Sequence, residues 1–392
     1  MPKLTTAARR VSRVTRWTLA VAGVVVVAAC GSPSTTAPPS AAAAAAAARP
    51  APASARVKHA DLLNGISCTG PAACVAVGSY YYSTAKQQTL VERRDGSSWR
   101  VERSPSRQRY STLQSVSCPS ATFCVAVGSL ITGWNGARWT VLRRSSPFDS
   151  VSCSAAAFCI AVGVTAADTP EYGRWNGVRW QLRRMPGPPH RAQAVALAGV
   201  SCTGPGFCLA VGDYSYGARA RPAPGFRDRA LAEQWNGTRW RVIAPIEVTG
   251  RSELSAVSCP TPRACTAVGA TASGQFALAE RWDGSAWKVE HVPGPSRTGY
   301  TKLTAVSCSS ASSCMAVGSY DGGASGIAEA WQAGAWRLYR LLSPPQPEPF
   351  APPAGVSCAS PAACTEVGTD GGTLAEVWDG TRWRITPTPD PR

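Results

Sequence analysis

The chain has 392 residues, with 40 lysines and arginines against 23 acidic residues, and a formal net charge of +17. No dense lysine or arginine run occurs after the N-terminus, so the charge predicts an evenly solvated surface and no nucleic-acid partner. Only three histidines are present (His59, His190 and His291), and none lies beside a cysteine pair, so we expect no metal site and no cofactor.

Residues 1–29 have the pattern of an export signal. A basic stretch precedes the apolar run WTLAVAGVVVVAA (17–29), which is short for a membrane span. The run ends in VAAC (27–30), which resembles the lipobox of bacterial lipoproteins. That resemblance implies cleavage before Cys30 and lipid on its sulfur; removal of the five basic residues of 1–29 would leave a net charge of about +12. An ordinary signal peptide or an uncleaved anchor is the alternative.

Residues 30–59 comprise Cys30 and a stretch rich in alanine, proline and serine. Such a sequence cannot bury a core, so we expect a disordered tether that holds the folded domain, residues 60–392, away from the membrane. The predicted location is therefore extracytoplasmic, on the outer face of the cell membrane. Exported proteins can keep disulfides, and 14 of the 15 cysteines occur in pairs once Cys30 is set aside.

The predicted folded domain repeats a C-x5-C sequence seven times, with start-to-start spacings of 50, 35, 49, 57, 49 and 50 residues. Six copies continue as x-A-V-G, and the last continues as TEVG. The pairs are Cys68 and Cys74, Cys118 and Cys124, Cys153 and Cys159, Cys202 and Cys208, Cys259 and Cys265, Cys308 and Cys314, and Cys358 and Cys364.

Each copy has a second half, such as WNGARW (134–139) or WDGSAW (282–287), and the first copy has RDGSSW (94–99). Asn-Gly and Asp-Gly between apolar runs predict tight hairpins, because a type I′ turn needs positive φ at both central residues. Segments such as LTAVSC and CMAVGS predict the strands of a first hairpin. Each unit thus has four short strands, and seven units predict an all-β, seven-bladed β-propeller with four antiparallel strands per blade.

Three chemistries compete for the paired cysteines. Zinc needs four ligands, and seven pairs cannot be divided evenly into fours, whereas redox catalysis usually shows C-x-x-C. A disulfide across each first hairpin fits better, because opposite residues of antiparallel strands come close enough and five intervening residues form a workable loop. We therefore expect one hairpin disulfide in each blade.

Two further repeated residue types are interpreted as structural. Thirteen of the 14 tryptophans belong to the second half of the repeat, where they flank a turn and can fill the space between blades. A carbohydrate-binding role for exposed tryptophans is the alternative.

A glutamate lies two residues before the leading aromatic position in five units, and we expect it to bond a neighbouring blade rather than to form a catalytic or ion-binding ring. These residues are Glu92, Glu233, Glu280, Glu329 and Glu376.

Function is expected on the segments that vary in length. In a four-stranded meander the second turn and the blade-to-blade connection lie on one face, and binding residues concentrate on variable loops held by a rigid scaffold. Tyrosine and arginine are favoured in recognition. The candidate ligand-binding residues are Tyr80, Tyr81, Arg109, Tyr110, Tyr214, Tyr216, Arg219, Arg221, Arg227, Arg297 and Tyr300.

The tryptophan turn is similar to the Asp-box of sialidase-like propellers, although Asp or Asn directly precedes Gly here and the leading serine is absent. The whole repeat, residues 60–392, resembles that of secreted lipoproteins of high-GC Gram-positive bacteria. The resemblance implies a fold and little about activity. No nucleophile–base pattern stands out, so we expect a monomeric, non-catalytic binding or scaffold protein whose partner is a protein, a glycan or the cell wall. A carbohydrate-active hydrolase or lyase is the alternative.

Overall fold

The computed structural model describes residues 61–392, apart from 84–85, 108, 189–191, 193, 217–226, 244–250, 272–274, 296–299, 324, 343–350, 390 and 392. The predicted signal, Cys30 and the tether lie outside the described residues. For Tyr216 and Arg227 only the backbone is described.

Twenty-eight strands of the described chain form seven four-stranded antiparallel sheets, and each sheet uses four consecutive strands. We number these sheets blades 1–7 in chain order. The first strands are β1 (Leu62–Gly70), β5 (Leu113–Ser120), β9 (Phe148–Ala155), β13 (Ala194–Gly204), β17 (Ser252–Thr261), β21 (Lys302–Ser310) and β25 (Ala351–Ser360). The second strands are β2 (Ala73–Ser83), β6 (Phe123–Gly128), β10 (Phe158–Val164), β14 (Phe207–Tyr216), β18 (Ala264–Thr271), β22 (Ser313–Tyr320) and β26 (Ala363–Thr369).

The third strands are β3 (Lys86–Asp95), β7 (Ile131–Trp134), β11 (Pro170–Trp175), β15 (Arg227–Trp235), β19 (Phe276–Trp282), β23 (Ser325–Gln332) and β27 (Thr373–Trp378). The fourth strands are β4 (Ser98–Val101), β8 (Trp139–Arg143), β12 (Trp180–Arg184), β16 (Trp240–Val242), β20 (Trp287–Glu290), β24 (Ala335–Arg340) and β28 (Trp383–Thr386). One 3-10 segment, Asp321–Gly323, follows β22. The predicted seven-bladed β-propeller is confirmed.

All seven cysteine pairs are joined within their own first hairpin, as the sequence predicts. Cys68 lies directly opposite Cys74 in the register of β1 and β2, and the same register recurs in other blades. The repeated glycine of x-A-V-G has an equally local cause. A Cβ at Gly78 or at Gly318 would overlap the backbone carbonyl of the first strand, so only glycine lets the two strands approach there.

The first strands lie innermost, since each contacts the first strand of the next blade. The serine of each V-S-C or I-S-C sequence links the blades, because its Oγ accepts a hydrogen bond from the cysteine amide of the following blade at 2.9–3.0 Å. These serines are Ser67, Ser117, Ser152, Ser201, Ser258, Ser307 and Ser357. Sequence analysis assigned no role to them, although all seven copies contain the residue.

Apolar side chains fill the seven interfaces between consecutive blades. The last interface joins blade 7 to blade 1 without a shared strand: Cys68 N donates to Ser357 Oγ at 2.9 Å, and Thr369 Oγ1 donates to Asp61 O at 3.0 Å. The ring is therefore closed by side-chain packing and hydrogen bonds between two sheets that are each continuous in sequence.

The tryptophan turns differ in detail from the predicted type I′ geometry. Trp134 and Trp139 lie directly opposite each other, and the four residues between them form a loop in which Asn135 Oδ1 accepts two backbone amides. Of these four residues only Gly136 has positive φ (91°). Both central residues have positive φ only at Ala333-Gly334 of blade 6, the copy without Asn-Gly or Asp-Gly.

The paired tryptophans stack across the strands, with ring centroids 5.5–6.0 Å apart in six blades. In blade 2 the Trp134 indole also donates to Ala121 O, in the turn of the disulfide hairpin. Blade 1 has Arg94 at this position, and its guanidinium donates to the equivalent carbonyl of Pro71 at 3.3 Å. The arginine thus replaces the tryptophan as the donor to this carbonyl.

Candidate binding site on the variable-loop face

The propeller has one uniform face and one variable face. The uniform face carries the disulfide hairpin turns and the tryptophan turns. The variable face carries the turns between second and third strands and the blade-to-blade connections. In blade 2 only residues 129–130 separate the second and third strands, whereas in blade 4 residues 217–226, which lie outside the described residues, separate them. The short turn of blade 2 leaves space beside the connection that enters that blade.

A cleft of about 630 Å³ occupies this space between the blade 1–2 connection and blade 2. We call it the 1–2 cleft. Its lining residues are Ser106, Arg107, Arg109, Tyr110, Leu130, Val141 and Arg144. The volume falls in the range of about 300–1,000 Å³ that is usual for ligand sites.

Hydrogen bonds to β3 hold the connection in place. Gln87 N donates to Arg109 O at 2.9 Å, and Ser111 N donates to Gln87 O at 3.0 Å. Arg107 N donates to Ser111 Oγ at 2.7 Å, and Thr89 N donates to a serine hydroxyl of the same connection at 3.0 Å. All these partners are neutral. The backbone that carries the two arginines is therefore fixed without any carboxylate.

The 1–2 cleft is basic and unneutralised. No acidic residue lines it, and within the described chain no carboxylate lies at ion-pair distance from Arg107, Arg109 or Arg144. All three side chains are exposed. Next to them lie apolar and aromatic surfaces, because Val141 is 41% and Tyr110 is 61% exposed.

A second groove, of about 540 Å³, lies between blades 6 and 7, and we call it the 6–7 groove. It also has a tyrosine, three arginines and exposed aliphatic side chains: Tyr339, Arg340, Arg382, Arg384, Leu342 and Ile385. Here an acid is present. Asp379 Oδ2 lies 2.9 Å from Arg384 Nη2 and 3.8 Å from Arg382 Nε.

Asp379 also holds the tryptophan turn of blade 7. Its Oδ1 accepts hydrogen bonds from Thr381 Oγ1, Arg382 N and Thr381 N. These bonds, with that from Arg384, hold the pKa of Asp379 well below its usual range. The aspartate stays ionised and cancels part of the positive charge of the groove.

Buried glutamates lie between blades. Burial raises the pKa of Glu92 and of Glu329 to about 8, and that of Glu233 to about 7. Each lies opposite an alanine of the second strand. Blade 7 is the exception, because the residue opposite Glu376 is Glu366. Burial and the Glu376 charge raise the pKa of Glu366 well above its usual range.

Glu376 connects this buried pair to the 6–7 groove. Its two carboxylate oxygens accept from Leu342 N at 3.0 and 3.1 Å, and Leu342 lines the groove. Blade 2 has Thr132 at the position of Glu376, and its hydroxyl donates to Thr140 O at 2.8 Å. Around Arg107 and Arg109 the connection into blade 2 is held by neutral groups, although Glu102 at its start pairs with Arg93 at 3.2 Å, whereas Leu342 at the entrance to blade 7 is held by a carboxyl group.

Acidic residues also cluster where blades 4 and 5 meet on the variable face. Burial, followed by the charges of Glu253 and Asp228, raises the pKa of Asp213 to about 6. Glu253 pairs with Lys302 at 2.7 Å, and Asp228 pairs with a neighbouring arginine at 3.8 Å. Among the described residues no group of three or more metal-ligating side chains could hold a metal ion.

The structure brings only two of the predicted binding residues into the 1–2 cleft, Arg109 and Tyr110. Tyr80 OH instead donates to Gln88 Oε1 at 2.9 Å, and its ring packs against the core between blades 7 and 1. Tyr81, Tyr214 and Tyr300 belong to other positions: Tyr81 to β2, Tyr214 to β14 and Tyr300 to the connection before β21.

The remaining candidates are described partly or not at all. Tyr216 and Arg227 are opposite each other at the ends of β14 and β15. Arg219, Arg221 and Arg297 lie outside the described residues. Sequence analysis missed Arg107, Arg144 and Val141, although Arg107 stands two residues from Arg109. Val141 belongs to β8, the fourth strand of blade 2, and Arg144 directly follows this strand. Only the fold brings these two residues close to the connection.

No protein-family model matches the chain, and no curated protein matches it in sequence. Solved structures match in fold. The chain is similar to YCF48 bound to D1 peptide (12% identity, TM-score 0.51, 84% of this chain and 94% of that chain). It is similar to the β-propeller domain of the Trilobed protease from Pyrococcus furiosus, which has an open velcro topology (8%, 0.52, 84% and 98%). It is also similar to the β-propeller domain of Myceliophteria thermophila Cps50 (Swd1) (14%, 0.51, 82% and 97%). These likenesses concern the fold, and they place the chain among the β-propellers.

Within the described part of the chain, no helix has the length and apolar character needed to cross a membrane. The seven disulfides are compatible with an extracytoplasmic location, where such bonds persist.

Proposed function

We propose that this β-propeller is an exported lipoprotein that is tethered to the outer face of the cell membrane through Cys30 and binds a partner without catalysis. The VAAC sequence before the tether and the seven disulfides support export. The protein acts as a monomer and binds its partner through the variable-loop face.

Export and anchoring are tested by fractionating cells that produce the chain and a Cys30→Ala variant. The parent protein should be in the membrane fraction, and the variant should lose lipid labelling and the mature N-terminus. If the variant were still in the membrane fraction and had the mass of the parent apart from the substitution, lipid anchoring would be contradicted. An uncleaved anchor would then explain the membrane location.

The observation that carries the binding function is the unneutralised 1–2 cleft. Three arginines without a paired carboxylate among the described residues, on a backbone already fixed by hydrogen bonds, favour an anionic partner. Little conformational freedom of the connection is lost on binding, which favours affinity. The partner is an acidic protein segment or an acidic glycan of the cell wall, and neither a nucleic acid nor a metal is needed.

Binding is tested with the purified protein against immobilised polyglutamate, polygalacturonate and polylysine. We expect the two acidic polymers to bind and polylysine not to bind, with loss of binding in Arg107→Glu. Arg340→Glu is the matched control, because it makes the same charge change in the 6–7 groove. Equal effects of both variants would show that net charge, not the cleft, attracts the polymer.

A carbohydrate-active hydrolase is the second candidate, and Asp213 is the observation that favours it. A carboxylic acid with a pKa of about 6 beside further carboxyl groups is the arrangement that glycosidases use for a general acid. Release of a chromogenic leaving group from a panel of glycosides would support this function, provided that Asp213→Asn abolishes it. No turnover of the panel would leave the binding function standing.

A further inference from the structure

The 1–2 cleft combines basic side chains with apolar surface. This combination restricts the chemical class of partner that the proposed function leaves open. The arginines form the rim, and the remaining surface is apolar or aromatic. Leu130 is 1% exposed and closes the floor, whereas Val141 and Tyr110 expose 41% and 61% of their side chains to solvent. A ligand that satisfied only the charges would leave this apolar surface in water.

We infer, resting on the proposed function, that the 1–2 cleft binds a short acidic peptide segment in which carboxylates flank an aliphatic side chain. The carboxylates pair with Arg107, Arg109 and Arg144 in the bidentate geometry that guanidinium groups favour. The aliphatic side chain lies between them, above the buried Leu130 and against Val141, and removes the exposed part of Val141 from water.

The location of Val141 adds to the case for a peptide. Val141 belongs to β8, which is the outer edge of its sheet and pairs only with β7. An edge strand offers unpaired backbone groups to an extended chain, so main-chain hydrogen bonds are available beside the cleft. A polar glycan would use the arginines but gain little from the aliphatic floor.

The 6–7 groove has exposed apolar surface like the 1–2 cleft, but most of its arginines are paired with an acid. It has exposed aliphatic side chains, since Leu342 and Ile385 are 51% and 47% exposed, but Asp379 occupies two of its three arginines. A peptide with two carboxylates would face this aspartate. Charge reversal in the 6–7 groove is therefore the control for charge reversal in the 1–2 cleft. Substitution of Val141 tests the contribution of apolar contact.

The test measures fluorescence anisotropy of three labelled decapeptides with glycine–serine flanks and different centres. The centres are aspartate–leucine–aspartate, aspartate–serine–aspartate and asparagine–leucine–asparagine, and polygalacturonate is used as a competitor. We expect the first peptide to bind at least 10-fold more tightly than either sibling.

Two variants assign this preference to the cleft. Arg109→Glu should weaken the leucine-centred acidic peptide at least 10-fold, whereas Arg340→Glu should change its affinity less than twofold. Val141→Thr keeps the β-branched shape at an exposed position, and it should reduce the preference for leucine over serine to less than threefold. Thermal unfolding of each variant verifies that it is folded.

The outcomes separate this inference from the proposed function. Equal affinity for the leucine-centred and serine-centred acidic peptides would overturn the inference and leave an anion-binding protein. Polygalacturonate that binds more tightly per charge than the first peptide would also overturn it, in favour of a glycan partner. No acidic probe bound at all would overturn both.

Discussion

The 1–2 cleft and the 6–7 groove are built at related positions, between the exit of one blade and the fourth strand of the next, from the same kinds of side chain. They differ in what holds the connection. Neutral hydroxyl and amide groups fix the backbone at Arg107 and Arg109, whereas Glu376 holds Leu342 at the entrance to blade 7. They also differ in charge, because Asp379 pairs with arginines in the 6–7 groove alone. The repeat thus supplies a common frame, and a few polar substitutions decide whether its arginines remain free for a partner.

The largest effect is expected from reversing both arginines on the connection. Arg107→Glu combined with Arg109→Glu should weaken binding of the acidic peptide or polymer at least 100-fold, because two attractive charges become two repulsive ones. The same double change at Arg340 and Arg382 should cost less than threefold. Titrations at 0.05 and 0.5 M salt provide the measurement, and the parent protein alone should show a strong salt dependence. Comparable losses in both double variants would remove the distinction between the two sites.

The next largest effect is expected on the free energy of unfolding, from the buried pair Glu366 and Glu376 in blade 7. Glu366→Ala restores the residue that the other six blades have at this position, and it should raise the free energy of unfolding by about 1–3 kcal/mol at pH 8. Burial raises the folded-state pKa of Glu366 and of Glu376 above the unfolded value. The stability of the parent protein therefore falls as pH rises above the usual carboxyl range, and the gain of the variant shrinks at pH 5.

Urea unfolding at pH 5 and pH 8, with the disulfides intact, measures this difference. Glu253→Ala is the control, since Glu253 is partly exposed and paired with Lys302, and it should change stability by less than about 0.5 kcal/mol. A Glu366→Ala variant that is less stable than the parent at both pH values would show that the lost packing outweighs the buried charge.

A smaller effect is expected from freeing the arginines of the 6–7 groove. Asp379→Asn removes the negative charge but keeps the side-chain oxygen that holds the turn, because asparagine occupies this position in blades 2, 3 and 4. Arg382 and Arg384 are then available, and the acidic peptide should gain a second, weaker site, about 10-fold poorer than the 1–2 cleft. Calorimetric stoichiometry should rise from one to two. An unchanged stoichiometry would mean that charge is not what separates the two sites.

The sequence predicted the frame of the molecule far better than its candidate site. Seven copies of C-x5-C specified blade number, strand order and disulfides, because each of these is local to one repeat. The serine was visible in all seven copies, but its partner is the cysteine amide of the next blade, 36 to 58 residues away in six cases and 289 residues away where blade 7 meets blade 1. Arg107 and Arg109 are two residues apart in the chain, whereas their position opposite Val141 and Arg144 depends on the path of the chain from blade 1 to blade 2. No regular spacing in the sequence marks such contacts between different repeats, so they could not be predicted from it.

The smallest effect is a pH response that should be nearly absent from the 1–2 cleft. The backbone at Arg107 and Arg109 is held by Gln87, Thr89 and serine hydroxyls, none of which is an acidic or basic group. Affinity of the leucine-centred acidic peptide should therefore change less than twofold between pH 6 and pH 9. The second site created by Asp379→Asn should weaken over the same range, because deprotonation of Glu366 places a second buried charge beside the Glu376 carboxylate that holds Leu342 N. Parallel pH profiles at the two sites would show that the group holding the connection does not control the groove beside it.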